Sequence, residues 1–247
     1  GGGAAVLGLG DRAGVGAGLA VEAGARAGRA GGAFAGLRRG AAGRGGAARG
    51  RYIAEWPTGE EEGKEAKLIN YLVKNRHTTP FESVTFTFEV KSPIFVFRQW
   101  HRHRTWAYNE VSARYTELPE EYYIPALDII TEQSTSNKQM RTDVQNPNAQ
   151  QIQDIMKEQN ASSFRAYIQL LELGCPRELA RTVLPLATYS KMFGTVSLHN
   201  LFHFLGLRCH SHAQWEIRVY AVAMLELIRP ICPIAVTAWE ELHLPKG

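Results

Sequence analysis

The sequence predicts an α+β fold, mostly helical, on three observations. Residues 84–90 alternate apolar and polar side chains at period two, the pattern of a half-buried strand. Several longer stretches instead repeat apolar residues every three to four positions, which is the helical period. The chain of 247 residues is 45% hydrophobic and 21% charged, enough apolar content for one sizeable core or two small ones.

The elements follow in order. Glu60-Glu61-Glu62-Gly63-Lys64 opens a helix to about Lys74, because Ala66, Ile69, Leu72 and Val73 recur at helical spacing. Pro80 and its polar neighbours make residues 75–82 a loop. The strand comes next, with Val84, Phe86, Phe88 and Val90 on one face and Thr85, Thr87, Glu89 and Lys91 on the other. Ser92-Pro93 reads as an N-cap and a first helical residue, so a helix is expected to about Arg102 with Ile94, Phe97 and Trp100 or His101 inward. Residues 103–115 continue as loop or a short irregular element, and Pro and Thr mark residues 118–136 as loop and partial strand. Residues 148–173 read as a long helix, periodic in Ile152, Ile155 or Met156, Phe164, Tyr167, Ile168 and Leu171. Pro176 begins another helix through Val183, residues 185–191 are a short strand or loop, and residues 195–208 are helical. The last long helix covers residues 211–228 and stops before Pro230. Its two apolar stripes are broken only by Glu216, Arg218 and Glu226, so it is buried on most sides, and another subunit is one way to cover it.

Residues 1–50 stand apart. Gly, Ala and Arg supply 40 of the 50, too little large apolar surface to offset chain entropy. Glycine at this density also weakens any helix, by about 1 kcal/mol per residue relative to alanine. The segment is expected to be disordered, or a translation artefact of GC-rich codons, with a domain covering residues 51–247. An Arg/Gly-rich RNA-binding arm is a further reading, but no RGG repeat with interleaved aromatics is present.

Charge and cysteine content narrow the function. The first fifty residues hold 7 Arg against Asp11 and Glu22, a net +5, which leaves −1 for the remainder of a chain whose total is +4. The body is therefore near neutral, and nucleic acid is not an expected partner. Three widely spaced cysteines fit a reducing cytosol, and neither a membrane span nor a signal peptide is evident, so a cytoplasmic protein is expected. No GxSxG elbow, Walker loop or GxGxxG follows a strand in the body, so bound phosphates must be held by side chains. His199 and His203 lie four apart, but no HExxH accompanies them and no metal is expected.

One stretch concentrates the chemistry: RHRTWAYNEVSARY, residues 102–115. Arginine is always charged and presents a planar fork to phosphate. A cluster such as Arg98, Arg102, Arg104 and Arg114 repels itself unless anions compensate it, and Glu110 can neutralise one member. Trp106, Tyr108 and Tyr115 add flat surfaces for a base or ring system. Surface salt bridges are the plainer explanation; the density of forks and rings points to nucleotide binding.

The stretch resembles the signature RHRxxSxNExSxRY of the flavin-dependent thymidylate synthases. Arg102-His103-Arg104, Asn109-Glu110, Ser112 and Arg114-Tyr115 stand in place, with Ala107 where the signature has Ser. The likeness extends to His77-Thr-Thr-Pro-Phe-Glu82, to VTFTFEV and PIFVFRQW, to Arg181-Thr-Val-Leu-Pro, and to Leu207-Arg208 followed by Ser211-His-Ala-Gln-Trp-Glu216. It covers about residues 52–240. An ARVS-like segment near the family's N-terminus is not evident in residues 1–50. The resemblance implies a small antiparallel sheet among the helices, a homotetramer with shared active sites, and conversion of dUMP to dTMP. It implies 5,10-methylenetetrahydrofolate as carbon donor and FAD, reduced by NADPH, as hydride carrier. By position, Arg102, His103 and Arg104 would contact FAD, with Thr79, Glu110, His199 and His203 assisting. Gln99, Arg102, Glu110, Ser112, Ala113, Arg114 and Arg181 would hold dUMP. Arg208 would lie against the uracil and stabilise its ionised form, with no protein nucleophile. His77 and His212 are supporting candidates.

Overall fold

The computed structural model describes residues 5–8, 18–22 and 62–243. Most of the segment 1–50 and the boundary at residue 51 lie outside the described residues. Two short strands within that segment are described, β1 (Ala5–Gly8) and β2 (Gly18–Glu22).

The remaining elements run α1 (Glu62–Lys74), α2 (Thr79–Glu82), β3 (Thr85–Pro93), α3 (Ile94–Trp100), β4 (Ala107–Glu110), β5 (Thr131–Gln133) and β6 (Arg141–Gln145). Then come α4 (Ala149–Glu172), α5 (Arg177–Ala180), β7 (Tyr189–Ser197), α6 (Leu198–Arg208), α7 (Trp215–Ile228) and α8 (Pro233–His243). Among the described residues the strands form one antiparallel sheet in the order β1-β2-β3-β7-β4, plus a separate hairpin of β5 and β6. The architecture is α+β with a small antiparallel sheet.

The centre of the sheet is the pair β3 and β7, joined over nine residues from Thr85↔Ser197 to Pro93↔Tyr189. The alternation in β3 does what its sequence requires: Phe86, Phe88 and Val90 are buried while Thr85, Thr87 and Glu89 are not. Burying a side chain of that size contributes roughly 1.5–3 kcal/mol. The same face of β7 presents Met192 and Val196. Against them pack Trp100, Leu201, Phe204, Leu205 and the apolar face of α7, in one core. A second, smaller core joins Phe164 and Tyr167 of α4 to Ala180.

Several expectations need correction. The helix expected over residues 195–208 begins only at Leu198, because Thr195, Val196 and Ser197 complete β7. Ser197 caps α6 by accepting the Asn200 N–H at 3.4 Å. Ser92 lies within β3 instead of capping α3, whose N-cap is Pro93, the last residue of the strand. Residues 107–110, expected as loop or a short irregular element, form β4 against β7. On α4, Ile155, Met156 and Ile168 are exposed on the single chain although their spacing matches the buried Phe164 and Tyr167.

Candidate active site

Local sequence explains why the functional side chains gather where they do. Strand β3 turns directly into α3, and α3 ends in the 101–106 turn, where the His103 N–H bonds the Trp100 carbonyl at 2.9 Å. Tyr108 fastens the turn from the far side, its hydroxyl donating to the carbonyls of Trp100 and His103 at 2.9 and 2.8 Å. Burial pushes the Tyr108 phenol above its ordinary pKa, so it stays a donor. Beneath the turn, Trp106 packs edge-on to Trp100 and near-parallel to Tyr108. Gly194 of β7 permits this approach: a Cβ there would lie 3.1 and 3.2 Å from the Trp106 ring.

The turn delivers His103 to the end of α6. Arg208 Nε donates to His103 Nε2 at 3.0 Å, and Arg208 Nη2 donates to the Gln99 carbonyl at 3.2 Å. The first bond requires a lone pair on Nε2, so the ring is neutral with its proton on Nδ1. The environment agrees. Burial, then the charge of Arg208, then His203 hold the His103 pKa down to about 4. His103 also packs edge-on to Phe204, 4.8 Å between ring centres, and lies 6.1 Å from His203. Burial lowers the Arg208 pKa as well, yet a guanidinium remains charged at any ordinary pH. Two acceptors fix its orientation while Nη1 takes part in neither bond.

A second group forms around the loop after β4. Arg114 meets Glu178 at 3.3 Å, Arg177 meets Glu117 at 3.0 Å, and Arg181 Nε reaches the Glu178 carbonyl at 3.4 Å. Ser112 Oγ accepts the Arg114 N–H at 3.3 Å, and Ala113 is buried beside it. This group rests on the second core, since the Leu118 N–H bonds the Tyr167 hydroxyl at 3.3 Å.

The expected residues therefore fall into two sets on one chain. His103, Gln99 and Arg208 are bonded together, with Arg102 in the same turn and His203 near by. Ser112, Ala113, Arg114 and Arg181 lie in the other set, and among the described residues no hydrogen bond or ion pair joins the two. Arg98, Arg102 and Arg104 are exposed and make no ion pair with a described residue. The pairing of Glu110 with an arginine is not observed among the described residues; Glu178 takes that role at Arg114. Thr79 opens α2 and is exposed, His199 is half-buried and His203 exposed on α6. His77 packs edge-on to Tyr71, and His212 packs edge-on to His210. Cys209 gains no activation from Arg208: burial, then Glu240, push its thiol up to about 11.

Sequence reasoning gave no role to Gln214, Arg141 or Tyr123. Gln99 Nε2 donates to Gln214 Oε1, which brings the turn before α7 against α3. Glu216, an interruption of an apolar helix and the end of a family-like block, is buried and ion-paired with Arg141 at 2.9 Å. A lone acid in the first turn of an otherwise apolar helix was the available signal.

These features define an α+β protein whose candidate site is built from arginine forks and a neutral histidine. Among the described residues there is no cluster of side chains suited to a metal ion. The chain belongs to the thymidylate synthase complementing protein family, whose model matches residues 45–234. It is 48% identical over 179 residues to the flavin-dependent thymidylate synthase of Treponema denticola, covering 72% of this chain and 67% of that protein. Against the enzyme of the same description from Gluconobacter oxydans it is 45% identical over 185 residues, covering 73% and 61%. Against that of Thermus thermophilus it is 46% identical over 184 residues, covering 74% and 66%. The chain thus spans about 61–67% of the length of these relatives. Among solved structures it is similar to a UMP/dUMP methylase, PolB from Streptomyces cacaoi bound with 5-Br dUMP. The TM-score is 0.76 at 32% identity, covering 82% of this chain and 91% of that one. Among the described residues no helix is long and apolar enough to cross a membrane.

Proposed function

We propose that this chain is a flavin-dependent thymidylate synthase that methylates dUMP to dTMP. Methylenetetrahydrofolate is the carbon donor, and FAD reduced by NADPH is the hydride carrier. The observation that carries the reading is the held guanidinium of Arg208, half-buried and aimed by His103 and the Gln99 carbonyl. Family membership and the likeness to a methylase crystallised with a uracil nucleotide support it.

The donor set fits a flavin dinucleotide. Arg102 and Arg104 are exposed cations without a carboxylate partner among the described residues, suited to phosphate oxygens. His103, Thr79, Glu110, His199 and His203 complete the proposed holding set. When bound, the flavin supplies the hydride. The chain's own part is electrostatic. A guanidinium beside the uracil favours loss of the N3 proton, and each pKa unit lowered corresponds to about 1.4 kcal/mol. Negative charge on the ring enriches C5, the carbon that must attack the methylene group. Ser112 then serves as a ligand-binding hydroxyl, and no protein nucleophile is needed.

The proposed nucleotide contacts divide between the two sets. Gln99, Arg102 and Arg208 grip from one side; Ser112, Ala113, Arg114 and Arg181 grip from the other, and Glu110 of β4 joins the proposed contacts. Leu179, Val183 and Leu186 are exposed beside the second set, and Ile155, Met156 and Ile168 on α4. Apolar surface of this extent favours burial against other copies, which supports a homotetramer whose sites combine half-sites of different chains.

The test is tritium release from dUMP labelled at C5, with FAD, NADPH and methylenetetrahydrofolate supplied. Release that requires all three supports the reading. A purified protein that takes up flavin yet releases no tritium removes it.

A further inference from the structure

Glu216, in the first turn of α7, is the only buried carboxylate among the described residues. Its two oxygens accept from Arg141 Nη2 at 2.9 and 3.0 Å, and Oε1 also accepts from the Tyr123 hydroxyl at 3.1 Å. Arg141 belongs to β6 and donates through Nη1 to the Ile129 carbonyl at 3.2 Å. The Tyr123 N–H is held by the Ala187 carbonyl at 2.9 Å, just ahead of β7. Three segments of the chain thus meet on one carboxylate.

Removing an ion pair from water costs about as much as the attraction returns, so a buried pair is weak ground for stability alone. Fixing register is its better-attested use. Here the register is that of the turn leading into α7. Two residues before Glu216 stands Gln214, the helix N-cap, and its side-chain oxygen accepts from Gln99 Nε2. The carbonyl of that same Gln99 accepts from Arg208. Residues of the hairpin, Arg141 among them, and of the turn, Gln214 among them, line one open cavity of about 390 Å³. Polar bonds therefore carry much of the join between them.

We infer that Glu216 is a positioning residue: through Gln214 it sets where Gln99 and Arg208 stand, and so shapes the pyrimidine end of the site. The effect on dUMP binding rests on the functional reading above; the effect on Arg208 rests on the bonds alone.

Two variants and two readouts test it. Glu216→Gln removes the buried charge, and Gln214→Ala, at an exposed position, cuts the link while leaving the ion pair intact. In protein labelled with ¹⁵N-arginine, the Arg208 Nε–H signal is assigned by its loss in Arg208→Lys. It is expected to shift or broaden in both variants. Calorimetric titration of the flavin-loaded protein with dUMP is expected to show roughly tenfold weaker binding in each variant. The double variant is expected to lose no more, because both changes act on one chain of contacts. An Arg208 signal unmoved by both variants overturns the inference, as do losses that multiply to about a hundredfold in the double variant. If the wild type itself does not bind dUMP, the functional reading falls, and the arginine signal still decides the positioning role. Should Glu216→Gln fail to fold, Tyr123→Phe, which removes one bond to the same carboxylate, replaces it in the cycle.

Discussion

Arg208 Nε donates to His103 Nε2 at 3.0 Å, so the last residue of α6 is aimed by an imidazole 105 positions earlier. The bond makes a charged fork depend on a neutral ring. It also explains why the signature histidine lies under the turn, buried at 7% exposure, while its two arginine neighbours face solvent.

Arg208→Ala is expected to abolish most tritium release, by roughly a hundredfold or more, as loss of a preorganised charge does elsewhere. The protein should still show flavin absorbance, because the proposed flavin contacts lie on other residues. Tritium release near the wild-type rate would remove Arg208 from the mechanism.

The neutral state of His103 has a pH signature. Its pKa falls from 6.5 in the unfolded chain to about 4 in the fold, so between those values the unfolded chain binds the proton and the folded one does not. Stability from this group is present above pH 6.5 and declines as pH drops toward 4. Melting temperatures of wild type and His103→Gln, compared from pH 7 to 4, should converge as the wild type loses its advantage. Parallel curves across that window would contradict a neutral imidazole.

If different chains complete each site, inactive variants should complement. Arg208→Ala and Arg114→Ala lie in separate sets, and their co-assembly should restore about a quarter of the sites by random mixing. Activity that stays at the level of the single variants would mean each chain carries its own complete site.

Gly194→Ala tests the packing under the signature turn. The new methyl would meet the Trp106 ring at 3.1 and 3.2 Å, and that ring is held among Phe88, Trp100 and Phe204. Overpacking of this kind costs about 1–3 kcal/mol, read as a fall of roughly 2–4 °C in Tm for each kcal/mol. An unchanged Tm would mean that the indole shifts freely.

Much of this was legible from local pattern. The alternation of Phe86, Phe88 and Val90 made β3 plain, and residues 148–173 were readable as a helix because the helical period runs through them. The β7 strand was harder. Gly194 interrupts its buried face with no side chain, and Phe193 and Lys191 lie on the exposed face, so periodicity alone did not separate it from the helix behind. Partial strand was legible within residues 118–136, where β5 lies, but β6 and its pairing were not, because the hairpin's residues are mostly polar and exposed, with no buried face to set a period.

The α+β class, the central strand and the family can be read from the amino-acid order alone, because those depend on side-chain periodicity and on residue types at fixed spacing along the chain. Folding in three dimensions was needed to reveal that His103 aims Arg208, that Glu178 and not Glu110 meets Arg114, and that Glu216 is tied to Arg141. Such contacts join residues tens to more than a hundred positions apart. Their energy is gained only after the backbone has closed the intervening loops, so nothing in the local pattern could announce them.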